Sequence, residues 1–237
     1  MAEIPNRMGW EADLVKELAK ILQVQKGQIL ELLGDPPNLN NIPEDMWRQH
    51  GDALFRAVEK HSLGAYIAAA EQVLAGSPIG VDWGLVNAEA ARWARANAQS
   101  LSLDLVSTNR QNIGEAIAGF FEEGQTIGFL RERLASLLGP VRAELIASTE
   151  ITRAAVEGEL ALVRELGKEG VELTAFWITE RDERVCPICS PLDGLAESPE
   201  GGFAPGGGMG IPSPPAHPRC RCWLNHVFVG QEEVIGG

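Results

Sequence analysis

Leu173-Thr-Ala-Phe-Trp-Ile-Thr179 decides the fold class, because here the helical periodicity of the chain gives way to a succession of aromatic and β-branched residues. Gly167 and Gly170 set the segment off on its N-terminal side, and it reads as a strand. Cys222-Trp-Leu-Asn-His-Val-Phe-Val229 has the same character and supplies a second one. Nothing before residue 140 alternates with period two. The expected class is therefore α+β: a mainly helical N-terminal part, then a small C-terminal module with a long helix and a short antiparallel strand pair. The boundaries expected are an all-helical region over 1–140, the module over 141–229 and a tail over 230–237.

Working outward from the first strand, Val141 to Leu166 reads as the longest uninterrupted helix, with Leu145, Val156, Leu160 and Val163 along one side. Glu11 to Leu33 places Leu14, Leu18, Ile21, Leu22, Ile29 and Leu32 near helical spacing, and Gly34-Asp35-Pro36-Pro37 ends it. Pro43 to Leu74 has Trp47, Leu54, Phe55, Val58 and Tyr66 on its apolar face and closes at Gly76-Ser77-Pro78. Ala88 to Ala98, with Trp93 as its anchor, and Leu101 to Phe121 are read as two further helices. Thr126 is an N-cap candidate, since its hydroxyl can accept from an exposed amide of the helix that carries Ile127, Leu130 and Leu134. Between the strands, Ser198 to Pro218 holds six glycines and six prolines, so 198–216 is expected to be a flexible loop.

Composition narrows the function. The 237 residues are 45% hydrophobic and 22% charged, enough to bury a core. The net charge is −13, carried by both parts: 12 basic against 18 acidic residues over 1–140, and 8 against 15 over 141–237. Such a field repels nucleic acid unless a local patch overcomes it. The first residues lack a basic stretch followed by an apolar one, and no run approaches the ~18 apolar residues of a membrane span. A soluble chain made in a reducing cytosol is expected.

All four cysteines fall in the last quarter, as Cys186-Pro-Ile-Cys189 and Cys220-Arg-Cys222, with His217 ahead of the second pair. The spacing is C-x2-C, 27 intervening residues, then H-x2-C-x-C. Two short clusters of soft donors, each beside a strand, suit a tetrahedral Zn²⁺ site that pins the mobile loop at both ends. The expected ligands are Cys186, Cys189, His217 and Cys220, with Cys222 competing for the fourth position. Two disulfides are disfavoured by a reducing compartment. A redox C-x-x-C pair is disfavoured because Cys189-Ser-Pro-Leu-Asp-Gly194 is a turn and does not open a helix. A Cys/His nucleophilic pair lacks a nameable orienting residue or oxyanion loop.

Other candidates have simpler readings. His50, His61 and His226 are isolated and are assigned to helix surfaces or a strand face. Acidic residues interleave with Arg92, Arg95 and Arg110, which makes a solvated face of them. Gly206-Gly-Gly-Met-Gly210 is followed by no Lys-Ser/Thr and opens no helix, so it is not a phosphate loop. Glu180, Asp182, Glu183 and Asp193 around the first cysteine pair are read as turn and solvation residues, and Glu150 as a surface charge.

The series Arg142-Ala-Glu-Leu-Ile-Ala-Ser-Thr-Glu150, Trp177-Ile-Thr179, Asp182-Glu-Arg-Val-Cys-Pro-Ile-Cys189, Leu192-Asp-Gly194 and Pro215-Ala-His-Pro-Arg-Cys-Arg-Cys222 resembles the phage head morphogenesis family. These are minor head proteins similar to the F protein of phage Mu, and the resemblance covers about residues 110–225. The insert at 198–214 is longer than the connections of the family. The resemblance implies a structural, non-enzymatic minor capsid protein of a tailed bacteriophage or prophage. It would act in procapsid morphogenesis near the portal. The implied location is the host cytoplasm during assembly and the virion or procapsid interior thereafter. The implied partners are the portal protein or the major capsid protein, with no membrane. Two alternatives stand beside this. One is a cysteine- or metal-dependent hydrolase acting during head maturation. The other is a zinc-stapled module that contacts packaged DNA weakly and without sequence preference through Arg181, Arg184, Arg219 and Arg221.

Overall fold

The computed structural model describes residues 3–77, 79–199, 201–206 and 210–229. Within them lie five α-helices and two strands: α1 (Arg7–Leu32), α2 (Glu44–Ala75), α3 (Trp83–Glu122), α4 (Ile127–Leu137), α5 (Pro140–Lys168), β1 (Leu173–Ile178) and β2 (Trp223–Phe228). The class is α+β, as the change of pattern at Leu173 requires. The expected tail over 230–237 lies outside the described residues, as do positions 200 and 207–209 of the Gly/Pro segment.

Two helices expected separately over 88–98 and 101–121 are one. The 40 residues of α3 run straight through Gln99 and Ser100, because polar residues without a glycine or proline leave the backbone ladder intact. That makes α3 the longest helix, ahead of the 32 residues of α2 and the 29 of α5. Its packing face is an alanine stripe, Ala90, Ala94 and Ala98, while Trp93 is only half-buried. Thr126 caps α4 as expected, its hydroxyl accepting from the Phe129 amide at 3.2 Å.

The chain forms two compact units. One is made of Glu11–His61 and Trp93–Ala147. Here α1 and α2 run antiparallel, with Glu17 on His61 at 2.9 Å and Gln28 on His50 at 2.6 Å. A buried Asn109–Gln25 bond at 3.2 Å joins α3 to α1. His50 and His61, assigned to helix surfaces by pattern alone, are in fact buried in this bundle, because each finds a polar partner across the α1/α2 interface. The hydrogen bond to His61 also holds the Glu17 carboxyl below its ordinary value.

The other unit is made of Met1–Trp10, Ser62–Arg92 and Ser148–Gly237. Its centre is the C-terminal part of α5, where Ile151, Thr152, Ala154, Ala155, Val156, Glu159 and Leu162 are all buried. So many buried positions on consecutive residues mean that α5 is covered on most sides, not along the single stripe the spacing suggested. Leu160 and Val163 are only partly buried. Glu150 is 2% exposed and accepts from Arg153 at 2.9 Å, so it is an internal group and not a surface charge. Leu162 and Leu166 pack with Ala70 and Val86. The strands pair antiparallel from Leu173↔Phe228 to Ile178↔Trp223. Residues 194–197 follow the other edge of β1, with Glu197 N donating to Ala175 O at 2.8 Å and Trp177 N to Leu195 O at 2.9 Å.

Candidate metal centre

The cysteines belong to the core of this second unit. Cys189, Cys220 and Cys222 are buried with Val156, Ala175, Trp177, Leu192, Phe203 and Leu224. Three devices fix the chain around them. Asp193, ahead of the left-handed Gly194, accepts from the Thr179 amide at 2.8 Å and from Arg181 at 2.9 Å, tying the turn after the first pair to the end of β1. Phe203 fastens the Gly/Pro segment, stacking edge-on against Trp177 with centroids 5.3 Å apart and bridging antiparallel to Ile211. Thr149 and Thr152, one turn apart on α5, hold the second pair. The Thr149 hydroxyl accepts from Arg219 N at 3.0 Å, and the Thr152 hydroxyl donates to Cys220 O at 3.2 Å. Arg219 takes a left-handed φ of 62° there, a conformation that favours glycine and that these bonds help to hold.

The donor atoms form two triads that share Cys189. Cys186, Cys189 and His217 make one, Cys189, Cys220 and Cys222 the other, and within each triad all donors lie within 4.8 Å of one another. His217 Nε2 is 3.0 Å from Cys186 Sγ and 3.3 Å from Cys189 Sγ, and Cys189 Sγ is 3.7 Å from Cys220 Sγ. A tetrahedral zinc with Zn–S near 2.3 Å and Zn–N near 2.0 Å separates its sulfurs by about 3.8 Å and sulfur from nitrogen by about 3.5 Å. The sulfur edge matches, and the two edges to histidine are slightly short. His217 Nδ1 sits 2.8 Å from the Pro218 carbonyl, which fixes the proton there and leaves Nε2 as a lone-pair donor toward the thiols. Each triad could hold a metal ion, the four expected ligands do not form a single group within 4.8 Å, and all four cysteines are free of disulfides.

Electrostatics tell the same story. The hydrogen bond from Cys222 holds the Cys220 thiol down at about 5, while burial and then the Cys220 charge push Cys189 up to about 12. Cys222 is raised as well, chiefly by its bond to Cys220. The cluster alone thus concentrates one negative charge among three sulfurs. A cation is what lets several ionise together.

Of the basic residues nearby, Arg181 pairs with Asp193, while Arg184 at 3.3 Å and Arg221 at 2.6 Å share Asp182. Arg221 beside Asp182 holds that carboxyl at about 2. Arg184, Arg219 and Arg221 line a small cleft over Cys186, Cys189 and His217 with a volume of about 20 Å³, room for one water. His226, given a strand face, is on β2 but buried, and desolvation lowers it to about 4. Sequence reasoning missed Thr149, Thr152 and Phe203 as supports. The threonines sit in the helical series already singled out, but their role depends on a partner some 70 residues away.

Residues 111–225, from within α3 to within β2, match the family model described as Phage Mu protein F like protein. The matched span contains both donor triads and every support just described. This region belongs to the Phage Mu protein F-like family. The family is one of phage head morphogenesis. No curated protein and no solved structure matches the chain. Among the described residues, no helix is long and apolar enough to cross a membrane.

Proposed function

We propose that this chain is a structural minor head protein of a tailed bacteriophage or prophage that acts in procapsid assembly at the portal and performs no catalytic step. The observation that supports this reading is the Mu F-like match over residues 111–225. The helical unit would dock on portal or major capsid subunits, in the host cytoplasm during assembly and inside the procapsid afterwards. Phe121, Ile127 and Phe129, each about half exposed at the α3–α4 connection, are suited to such contacts.

In the same reading Cys186, Cys189, His217 and Cys220 hold one structural zinc ion, with Cys222 as the competing fourth ligand. Zinc, when bound, neutralises the thiolates and cross-links the two ends of the connection between the ligand pairs. The chain's part is to present the donors. The Pro218 carbonyl selects the histidine tautomer, and Thr149 and Thr152 fix the backbone of the second pair. Packaged DNA is the weaker partner, since Arg181, Arg184 and Arg221 already face carboxylates that weaken their field at a phosphate.

Quantifying the chain in proheads purified at successive assembly stages tests the assembly role, and absence from every stage refutes it. Native mass spectrometry under reducing conditions tests the metal. One zinc per chain is expected, and a metal-free mass with four free thiols overturns the staple.

A further inference from the structure

The cysteine loop is gripped by a residue from the far end of the chain. Arg7 opens α1 and is 3% exposed. Its Nη1 donates to the Arg221 carbonyl at 2.6 Å and to the Glu180 carboxylate at 3.0 Å. Arg221 stands between Cys220 and Cys222. Glu180 starts the limb that leaves β1 and reaches Cys186. One guanidinium nitrogen therefore bridges the two limbs that carry the two groups of donors, and both of its partners line the cleft above the sulfurs. The segment that presents it is itself anchored: Ile4 is buried with Ala69 and Ala155, with Trp223 packed against them. A buried cation is costly unless it is paired, and the Glu180 carboxylate 3.0 Å away supplies the pairing charge.

We infer that Arg7 is a positioning residue for the metal centre, setting the spacing of the two limbs that carry the two donor triads. The inference rests on the zinc reading above. Groups hydrogen-bonded to a ligand typically change metal affinity by about 10–100-fold, and Arg7 acts on the chain beside the ligands, so that range bounds its effect from above.

The test uses the full chain as wild type, Arg7→Ala, Arg7→Lys and Ile4→Ala. Zinc affinity is measured by chelator competition, and the Co²⁺-loaded proteins are compared by their thiolate charge-transfer and d–d absorption. Arg7→Ala should weaken zinc at least about tenfold, and by no more than about 100-fold, and alter the Co²⁺ bands. Arg7→Lys, which keeps the charge but not the planar fork, should lose about tenfold or less. Ile4→Ala loosens the same segment without touching the guanidinium and should stay within about threefold of wild type even where it lowers thermal stability. Wild-type affinity and spectrum in Arg7→Ala overturn the inference while leaving the zinc site standing. An equal loss in Ile4→Ala overturns it in favour of a purely structural anchor. Failure of the wild type to bind either metal overturns the zinc reading and this inference with it.

Discussion

At Gly158 the backbone of α5 meets that of α2 with no room for a side chain. A Cβ built there would lie 2.8 Å from the Tyr66 carbonyl carbon, 3.0 Å from its Cα, and nearer still to its oxygen. Ordinary contact begins near 3.4 Å, and all three atoms are helix backbone that cannot rotate aside. Gly158→Ala must therefore part the two helices by at least ~0.6 Å, opening the layer where Ala69, Ala70, Ala155 and Leu162 are fully buried. Overpacking of this kind costs about 1–3 kcal/mol, and a clash with backbone belongs at the upper end. Removing a glycine from a helix interior returns about 1 kcal/mol. The net expectation is a loss of about 2 kcal/mol, or about 4–8 °C in Tm for a chain of this size. Gly167, also in α5, has nothing within 4 Å of its virtual Cβ, and Gly167→Ala should be neutral or stabilising. Thermal and urea unfolding of the two variants side by side, followed by circular dichroism, give the comparison. Equal stability of Gly158→Ala and Gly167→Ala would refute the close approach of the Gly158 and Tyr66 backbones.

Acid should expose the buried histidine. Burial lowers His226 to about 4 against an unfolded value near 6.5, so the unfolded chain takes up a proton first and stability falls as pH drops through that window. The contribution is level above pH 6.5, and by pH 4 about 3 kcal/mol is lost. Urea titrations from pH 7.5 to 4.5 should show a shallower slope in His226→Gln, and identical slopes would contradict the assignment. Thr152→Val keeps the shape of the side chain but removes the bond to Cys220 O. It should cost about 1–2 kcal/mol, read by chemical denaturation. Cys186→Ser and Cys189→Ser should each lose the metal and increase amide exchange over 171–229 while the bundle of α1, α2 and α3 keeps its protection. Stoichiometric zinc in either variant would displace that cysteine from the ligand set. Phe203→Ala should cost about 3–5 kcal/mol and open the Gly/Pro segment to limited proteolysis, because Phe203 is 1% exposed against Trp177.

What could be read from the sequence was what local chemistry encodes. Gly-Pro pairs stop helices, a threonine hydroxyl caps α4, and a run of aromatic and β-branched residues makes β1 and then β2. The two Cys/His clusters were legible because their spacing is itself local. Pairings between distant segments left no such mark. His50 and His61 look like solvated helix residues until α1 lies against α2. Glu150 looks like a surface charge because its burial comes from what packs over α5. Arg7 was invisible as a support, since its acceptors lie 173 and 214 positions away. Gln99 and Ser100 misled in the opposite direction: a dip in hydrophobicity suggested a break where the backbone had none.

The bridge between Phe203 and Ile211 has a consequence for how this protein can vary. It divides one long excursion between the donor groups into two shorter connections, joined where Phe203 and Ile211 pair. Length added between those two residues enters as loop-closure entropy alone, at about 0.6 kcal/mol for each doubling, and should leave the register of the cysteines and His217 untouched. The stretch between Phe203 and Ile211 is therefore a permissive insertion point, where an epitope or a small guest domain could be carried without disturbing the donor cluster.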